Sequence, residues 1–151
     1  MKIRKATEKD RNKLINLMQK ASAREKEWSM KRAESYTNRS DKLILIAEEK
    51  SKLIGYVGIK KYEDNKARKF VNLNSFMWVT WIAVLPEFRN KNVGSKLLKA
   101  SEKYVSQFNR KGIVLDCRKN LVGFYEKNSY SIKGRYLDKL KWRYVLVKEI
   151  K

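Results

Sequence analysis

The chain has 151 residues, and its 37 Lys and Arg residues against 16 Asp and Glu residues give a net charge of +21. With 42% hydrophobic residues, a chain of this length can bury the core of one domain, which excludes a disordered basic tail. The absence of histidine excludes His-based hydrolases and zinc sites, and the single cysteine, Cys117, excludes an internal disulfide. We therefore expect one domain over residues 1–151 and no metal.

Hydrophobic periodicity predicts a mixture of strands and helices along the chain. In order they are a strand at 1–6, helices at 8–23 and within 22–41, strands at 43–47, 53–59 and 70–84, a helix carrying 97–108, a strand at 113–117, a helix at 121–127, and strands at 130–136 and 142–147. Thr7 and Asp10 have capping-box spacing at the start of the first helix. We expect the strand at 70–84, which the only proline ends, to be largely buried.

The helix that follows residue 95 connects two apolar strands, and such a crossover implies that these two strands are parallel. The strands at 43–47 and 53–59 are joined by a polar turn and are predicted to form a β-hairpin. The sequence therefore predicts an α+β, or mixed α/β, fold.

The junction between the strand ending near Val84 and the next helix carries the clearest chemical signal. A basic loop over residues 89–95 precedes the helix, and Gly94 allows close approach of an anion to the backbone. Free N–H groups at a helix N-terminus and the helix dipole attract phosphate. The chain has neither a Walker A pattern nor a Rossmann glycine fingerprint, so nucleotide hydrolysis and hydride transfer lose support.

This junction resembles the acetyl-CoA motif of the GNAT superfamily of N-acetyltransferases, Arg/Gln-x-x-Gly-x-Gly/Ala after a strand ending in Val-x-Pro. Residues 83–98 follow that pattern closely, and the resemblance covers nearly the whole chain. The opening at 3–10 is similar to the family's usual start, and residues 120–130 are similar to its later Asn-x-x-Ala-x-x-Phe-Tyr-Glu-Lys-x-Gly-Phe segment. The resemblance implies a mostly antiparallel sheet flanked by helices, with a splayed parallel strand pair.

The resemblance also implies the residues of the site. It assigns the pantetheine arm of acetyl-CoA to the strand Ile82, Ala83 and Val84, and the other side of the cosubstrate to Asn120 and Phe124. It assigns the proton for the departing CoA thiolate to Tyr125. It assigns the pyrophosphate to the loop residues Arg89, Asn90, Lys91, Asn92, Val93, Gly94 and Ser95.

Each implied role has a simpler structural alternative. Ile82 and Val84 would be apolar in any buried strand, Tyr125 could be a core aromatic residue, and Asn120 could be a helix cap. Cys117 is expected to be a small buried residue rather than a nucleophile, since no histidine exists to activate it.

The chain departs from the family pattern at two positions. Asn92 stands where glycine is usual, and asparagine tolerates a left-handed backbone better than other side chains. Thr80 lies in the strand region where many relatives carry a glutamate base. A water chain that ends at Glu63, Asp64, Asp116 or solvent could remove the amine proton instead, and the sequence does not choose among them.

The resemblance implies direct transfer from acetyl-CoA to an amine, on a small molecule or a protein, in a ternary complex. The charge of +21 exceeds what CoA requires, and it either reflects composition or favours anionic acceptors and an association with nucleic acid or the ribosome. Two alternatives stay open, a nucleic-acid-binding module and a non-catalytic acetyl-CoA-binding domain. We expect a cytoplasmic monomer or homodimer without membrane contact, because neither a membrane span nor a signal segment is evident.

Overall fold

The computed structural model describes residues 1–36, 39–63 and 65–150. The strands are β1 (Lys2–Lys5), β2 (Lys42–Glu49), β3 (Lys52–Lys60), β4 (Phe76–Val84), β5 (Gly112–Cys117), β6 (Ser131–Asp138) and β7 (Lys141–Glu149). The α-helices are α1 (Arg11–Ser22), α2 (Lys26–Tyr36), α3 (Val93–Val105) and α4 (Lys119–Lys127). The strand order in the sheet is β1-β2-β3-β4-β5-β7-β6.

The fold is mixed α+β with a mostly antiparallel sheet, as the sequence predicts. Its parallel pair is β4 with β5, the two strands that α3 connects. Their pairing runs from Phe76 opposite Gly112 to Trp78 opposite Val114. Both strands continue past this point, β4 to Val84 and β5 to Cys117. The parallel pairing therefore covers the first three residues of each strand. The splay that the family resemblance implies stays a prediction.

The predicted capping box is present at the start of the first helical segment. The Asp10 carboxylate accepts the backbone N–H of Thr7 at 2.8 Å and also receives two hydrogen bonds from the Arg4 guanidinium. This cap opens a short 3-10 turn, Glu8–Asp10, and the α-helix itself begins at Arg11. The helix thus starts three residues later than periodicity predicts, because the first turn is wound more tightly.

The strand predicted at 70–84 is shorter than expected and is not buried throughout. Asn72 accepts the N–H of Asn74 and caps a 3-10 turn at Leu73–Ser75, so β4 begins only at Phe76. The first four residues of β4 are buried, whereas the last five are half-buried. Periodicity could not separate these halves, because both are equally apolar.

The chain forms two compact units. The first comprises Met1–Ile59 and Trp81–Ser101, and the second comprises Lys60–Thr80 and Glu102–Lys151. In the first unit, α1 packs against α2 and buries Leu14, Leu17 and Met18. A hydrogen bond between the side chains of Ser22 and the fully buried Tyr56 joins the end of α1 to β3.

The second unit has an apolar cluster of its own, contributed by β4, β5, β7 and the segment before β4. Its members are Ala67, Leu73, Phe76, Trp78, Val114, Val145 and Val147. Strand β5 pairs with β7 over its whole length, from Gly112 opposite Glu149 to Cys117 opposite Tyr144. None of the helices in the described part of the chain has the length and apolar character that a membrane crossing needs.

Candidate functional site

The candidate residues fall into both units. The first unit contains the end of β4, the following loop and the start of α3, and the second contains Asn120, Phe124 and Tyr125.

The end of β4 leaves apolar residues partly uncovered. Ile82, Ala83 and Val84 are half-buried, although they continue a strand whose first half is closed from solvent. Beyond them, the backbone N–H of Leu85 donates to the carbonyl of Ile54 at 2.8 Å and holds the strand end against β3. An apolar strand end that is both fixed and accessible suits an extended ligand that pairs with the main chain.

Arg89 fixes the position of the loop that follows β4. Its Nε donates to the carbonyl of Val84 at 2.9 Å, and one Nη donates to the carbonyl of Ala21 at 3.0 Å. Ala21 lies in the last turn of α1, where a cation is favourable next to the helix dipole. The backbone N–H of Arg89 donates to Pro86. Arg89 is therefore engaged by the protein through both its side chain and its N–H.

The loop between Arg89 and α3 has two residues in the left-handed region. Asn90 has a φ of 61° and Asn92 a φ of 64°, and both side chains are exposed. Asparagine adopts this conformation more readily than other non-glycine residues, so it replaces the family's glycine with little strain. Asn92 therefore adopts the left-handed conformation that its residue type was expected to tolerate.

Helix α3 starts immediately after Asn92. The N–H of Lys96 donates to the carbonyl of Asn92 at 3.0 Å, which closes the first helical turn. The N–H groups of Val93, Gly94 and Ser95 belong to that first turn, where no intrahelical acceptor is available. Val93 is buried and anchors the turn, whereas Gly94 and Ser95 are half-buried. This helix start can hold an anion through its backbone.

Two lysines lie beside the loop and add positive charge. The Nζ atoms of Lys52 and Lys91 are each 5.5 Å from the centre of the Phe88 ring. Both ammonium groups thus lie at cation–π distance from one ring, and that of Lys52 also forms an ion pair with Glu87 at 3.4 Å. The loop therefore combines main-chain donors with flexible cations, which is the chemistry of a phosphate site.

In the second unit, Tyr125 is buried on α4. It is 5% exposed, and its ring packs edge-on against those of Phe124 and Tyr130, at centroid distances of 5.0 and 5.9 Å. No hydrogen bond joins the Tyr125 hydroxyl to any residue that the structure describes. Burial, followed by the neighbouring Cys117, raises the pKa of Tyr125 well above its ordinary value. The phenol is therefore protonated at neutral pH.

Asn120 and Phe124 lie on the same helix. Asn120 is an exposed residue in the first turn of α4, and Phe124 is half-buried. The N-cap position of α4 is occupied by Arg118, so the alternative reading of Asn120 as the helix cap is wrong. The helix begins two residues earlier than the predicted start at residue 121. The sequence prediction therefore placed Asn120 before the helix, whereas it lies in its first turn.

A polar cluster near the end of β5 engages one of the proposed bases. The Arg143 guanidinium donates to Asp116 at 2.6 Å, and the Tyr136 hydroxyl donates to its other carboxylate oxygen. Burial, then the hydrogen bond to Asp116, raises the pKa of Tyr136. Burial alone would lower the pKa of Arg143, but its hydrogen bond to Asp116 raises it above the ordinary value. The carboxylate of Asp116 is thus held by two donors.

The other base candidates are placed differently. Glu63 accepts a hydrogen bond from Lys60 at 3.2 Å, and Asp64 lies outside the described residues. Thr80 is half-buried in β4. Burial raises the pKa of the Cys117 thiol to about 11, so the sulfur is a thiol at neutral pH and a poor nucleophile, as expected.

Sequence reasoning missed a group of aromatic and cationic residues in the first unit. Trp28 and Tyr36 of α2 pack against Trp81 of β4, and two arginines, Arg24 and Arg32, stack on the tryptophans. The spacing of Arg24, Trp28 and Arg32, four residues apart, was a signal in the sequence that they share one side of the chain. Only the fold reveals that Trp81 completes the group.

The sequence model of the acetyltransferase (GNAT) family matches residues 11–130, which include the end of β4, the loop, α3 and α4. Comparison with curated protein sequences gave no match.

Solved structures share the fold at low sequence identity. An aminoglycoside 6'-N-acetyltransferase from Enterococcus faecium is 17% identical over 100% of this chain and 98% of its own, with a TM-score of 0.81. NAA60 from Arabidopsis thaliana, solved with acetyl-CoA, is 18% identical over 99% and 98%, with a TM-score of 0.73. An aminoglycoside 6'-N-acetyltransferase complexed with coenzyme A is 17% identical over 100% and 98%, with a TM-score of 0.80.

Proposed function

Because the chain belongs to the GNAT acetyltransferase family, we propose that it is an N-acetyltransferase that transfers the acetyl group of acetyl-CoA to a primary amine. The amine attacks directly, in a complex that holds both substrates. We also propose that residues 1–151 act as one catalytic domain, since the family match continues through both compact units.

The observation that carries this proposal is the conformation of the loop before α3. Asn90 and Asn92 are left-handed, and the helix starts directly after Asn92. We assign the pyrophosphate of acetyl-CoA to this loop, with most contacts from backbone N–H groups between Asn90 and Ser95. Arg89 acts as a positioning residue here, because its guanidinium binds the carbonyls of Val84 and Ala21.

The remaining cosubstrate contacts follow from the family pattern. We assign the pantetheine arm to the main chain of Ile82, Ala83 and Val84, and the half-buried state of this apolar strand end supports that role. We assign Asn120 and Phe124 of α4 to the other side of the cosubstrate.

When bound, acetyl-CoA supplies an acetyl group activated as a thioester. The transfer forms a carbon–nitrogen bond, breaks the carbon–sulfur bond, removes a proton from nitrogen and delivers a proton to sulfur. We assign the last step to the Tyr125 hydroxyl. Its pKa is raised by burial, so the proton is present, and no described residue accepts a hydrogen bond from it.

Removal of the proton from nitrogen is assigned to water that leads to solvent. Thr80 lies in the strand region where many relatives carry a glutamate, and it cannot act as a carboxylate base. Asp116 is held by Arg143 and Tyr136, and Glu63 is bound by Lys60, so both carboxylates already have cationic or hydroxyl partners. Holding the amine close to the thioester supplies much of the rate without a dedicated base.

A mutation of Tyr125 tests the catalytic step. In a screen of acceptor amines with detection of the released thiol, Tyr125→Phe should lower kcat about 100-fold with acetyl-CoA affinity unchanged. The melting temperature should stay the same, because the hydroxyl forms no hydrogen bond with any of the residues that the structure describes. Tyr130→Phe is the matched control, since it removes a neighbouring buried hydroxyl that binds Glu102, and kcat should not change.

Three outcomes separate the alternatives. An unchanged kcat in Tyr125→Phe would remove Tyr125 as the acid. A rise in melting temperature with acetyl-CoA but no thiol release with any amine would favour a binding domain without catalysis. No rise with saturating acetyl-CoA, together with steeply salt-dependent retention on nucleic acid, would favour the nucleic-acid-binding module.

A further inference from the structure

The first unit contains a compact group of cationic and aromatic side chains, which we call the arginine–tryptophan cluster. Its members are Arg24, Trp28, Arg32, Tyr36 and Trp81. The Arg24 guanidinium lies 4.8 Å from the Trp28 ring centre, and the Arg32 guanidinium lies 5.2 Å from Trp28 and 5.5 Å from Trp81. The Trp81 ring contacts Trp28 at 5.6 Å and Tyr36 at 4.7 Å. Two positive charges are therefore held on one aromatic surface.

Neither arginine of the cluster has an anionic partner in the described part of the chain. Among the described residues, the guanidinium groups of Arg24 and Arg32 form no salt bridge and no hydrogen bond. The acidic side chains of α2 bind elsewhere, Glu27 to Lys31 and Glu34 to Arg11. The two charges thus remain uncompensated in a protein that is already strongly basic.

Arg32 is the more informative of the two, because its Nε is buried without a hydrogen-bond partner in the described part of the chain. A buried donor without an acceptor is costly, and native proteins keep few of them. Nε–H and the adjacent Nη–H form one edge of the guanidinium fork, which matches two oxygens of a carboxylate or a phosphate. The arginine therefore has the geometry and the unmet requirement of an anion-binding group.

The cluster also adjoins the strand end that the proposed function assigns to the acetyl-bearing arm. Trp81 directly precedes Ile82 on β4, and it is half-buried, as are Trp28 and Arg32. A ligand that reaches these rings approaches the same strand within the same unit. The loop that we assign to the pyrophosphate has its own cations, Lys52 and Lys91, so the cosubstrate does not require Arg24 or Arg32.

We propose that the arginine–tryptophan cluster binds an anionic group on the acceptor, so that the substrate is an amine that carries a carboxylate or a phosphate. This inference rests on the proposed acetyltransferase function. The net charge of +21 acts in the same direction, since it attracts anionic amines and repels polycationic ones. Arg32 and Arg24 are then specificity-determining residues that hold the acceptor by its charge.

Matched amine pairs test this substrate class. O-phosphoethanolamine with ethanolamine tests a phosphate, and β-alanine with β-alaninamide tests a carboxylate. Binding is followed by tryptophan fluorescence, since two of the four tryptophans belong to the cluster, and turnover is followed by thiol release. The variants are Arg32→Gln and the exposed Arg24→Gln, with Lys31→Gln as a control that removes one positive charge from the same helix.

At least one anionic amine should bind wild type about 10-fold or more tightly than its neutral partner. Arg32→Gln should weaken that binding about 10- to 100-fold, as expected for loss of a charge-assisted bidentate contact, and leave the neutral amine unchanged. Arg24→Gln should act in the same direction, and Lys31→Gln should change neither amine. Urea midpoints for all three variants establish that they are folded.

Two results would overturn the inference. One is equal binding of anionic and neutral amines by wild type, and the other is weakened acetyl-CoA binding in Arg32→Gln with no loss of acceptor discrimination. Calorimetry with acetyl-CoA on the same preparations separates the two proposals. If acetyl-CoA does not bind, the proposed function fails. If acetyl-CoA binds but charge discrimination is absent, only the anionic acceptor is refuted.

Discussion

The left-handed backbone at Asn92 leads to a quantitative prediction about the loop before α3. Asn92 has a φ of 64° and an exposed side chain, so a substitution there alters backbone preference without disturbing the core. A left-handed conformation costs an ordinary L-residue roughly 1–2 kcal/mol, a cost that glycine avoids. Asn92→Ala should therefore destabilise the protein by about 1 kcal/mol, whereas Asn92→Gly should stay within about 0.5 kcal/mol of wild type.

The same pair of variants reports on cosubstrate binding. If Asn92→Ala allows the free loop to relax, acetyl-CoA must restore the bound conformation, and a cost of about 1 kcal/mol corresponds to about fivefold weaker affinity. Asn92→Gly should bind with near wild-type affinity. Both variants lack the amide side chain, so the difference between them isolates the backbone effect.

Urea denaturation gives the free energy of unfolding, and calorimetry gives the acetyl-CoA affinity. Asn90, with a φ of 61°, provides a second position at which to repeat the comparison. Equal stability and equal affinity for the alanine and glycine variants would refute the reasoning, because they would show that the left-handed conformation is not required. An equal loss of affinity in both variants would instead assign the effect to the amide group.

Three further changes test the packing and electrostatics of the fold. The hydrogen bond from Arg4 is the main cause that lowers the pKa of Asp10 from 3.8 to about 2. Asp10→Asn should therefore lower the free energy of unfolding at pH 7 by about 1–2 kcal/mol, a value reduced for the partial exposure of Arg4. Because the folded pKa is depressed, that cost should fade between pH 4 and pH 2, and a pH-independent difference in urea midpoints would contradict it. Gly112→Ala should destabilise by about 2–3 kcal/mol, since its Cβ would lie 2.0 Å from the Lys148 carbonyl oxygen. Gly123→Ala should stabilise α4 by about 0.5–1 kcal/mol, because no atom lies within 4 Å of the Cβ that the substitution adds. Equal urea midpoints for Gly112→Ala and Gly123→Ala would contradict this difference in packing.

Several features of the protein could be predicted from local sequence because they depend on neighbouring residues. The capping box of Thr7 and Asp10, the helical periodicity of α1 and α3, and the apolar runs of β2 and β3 all act within a few residues. The family motif at residues 83–98 is also contiguous. These signals were sufficient for the fold class, the parallel strand pair and the position of the candidate loop.

Other features depend on residues that are distant in sequence, and local patterns could not reveal them. Arg89 looked like a cation for phosphate, but its guanidinium reaches the carbonyl of Ala21, 68 residues away. The Asp116 carboxylate accepts hydrogen bonds from Arg143 and Tyr136, which lie 27 and 20 residues further along the chain.

The clearest division between sequence and tertiary structure lies in β4. Composition determined that this segment is an apolar strand, because β-branched and aromatic residues favour a pleated, half-buried surface. Only the fold decided that its first half is closed from solvent and that its last five residues remain accessible. The reason is that exposure depends on which other elements cover a residue. Phe76 and Trp78 of the first half belong to an apolar cluster with Val114, Val145 and Val147, which are far away in the sequence.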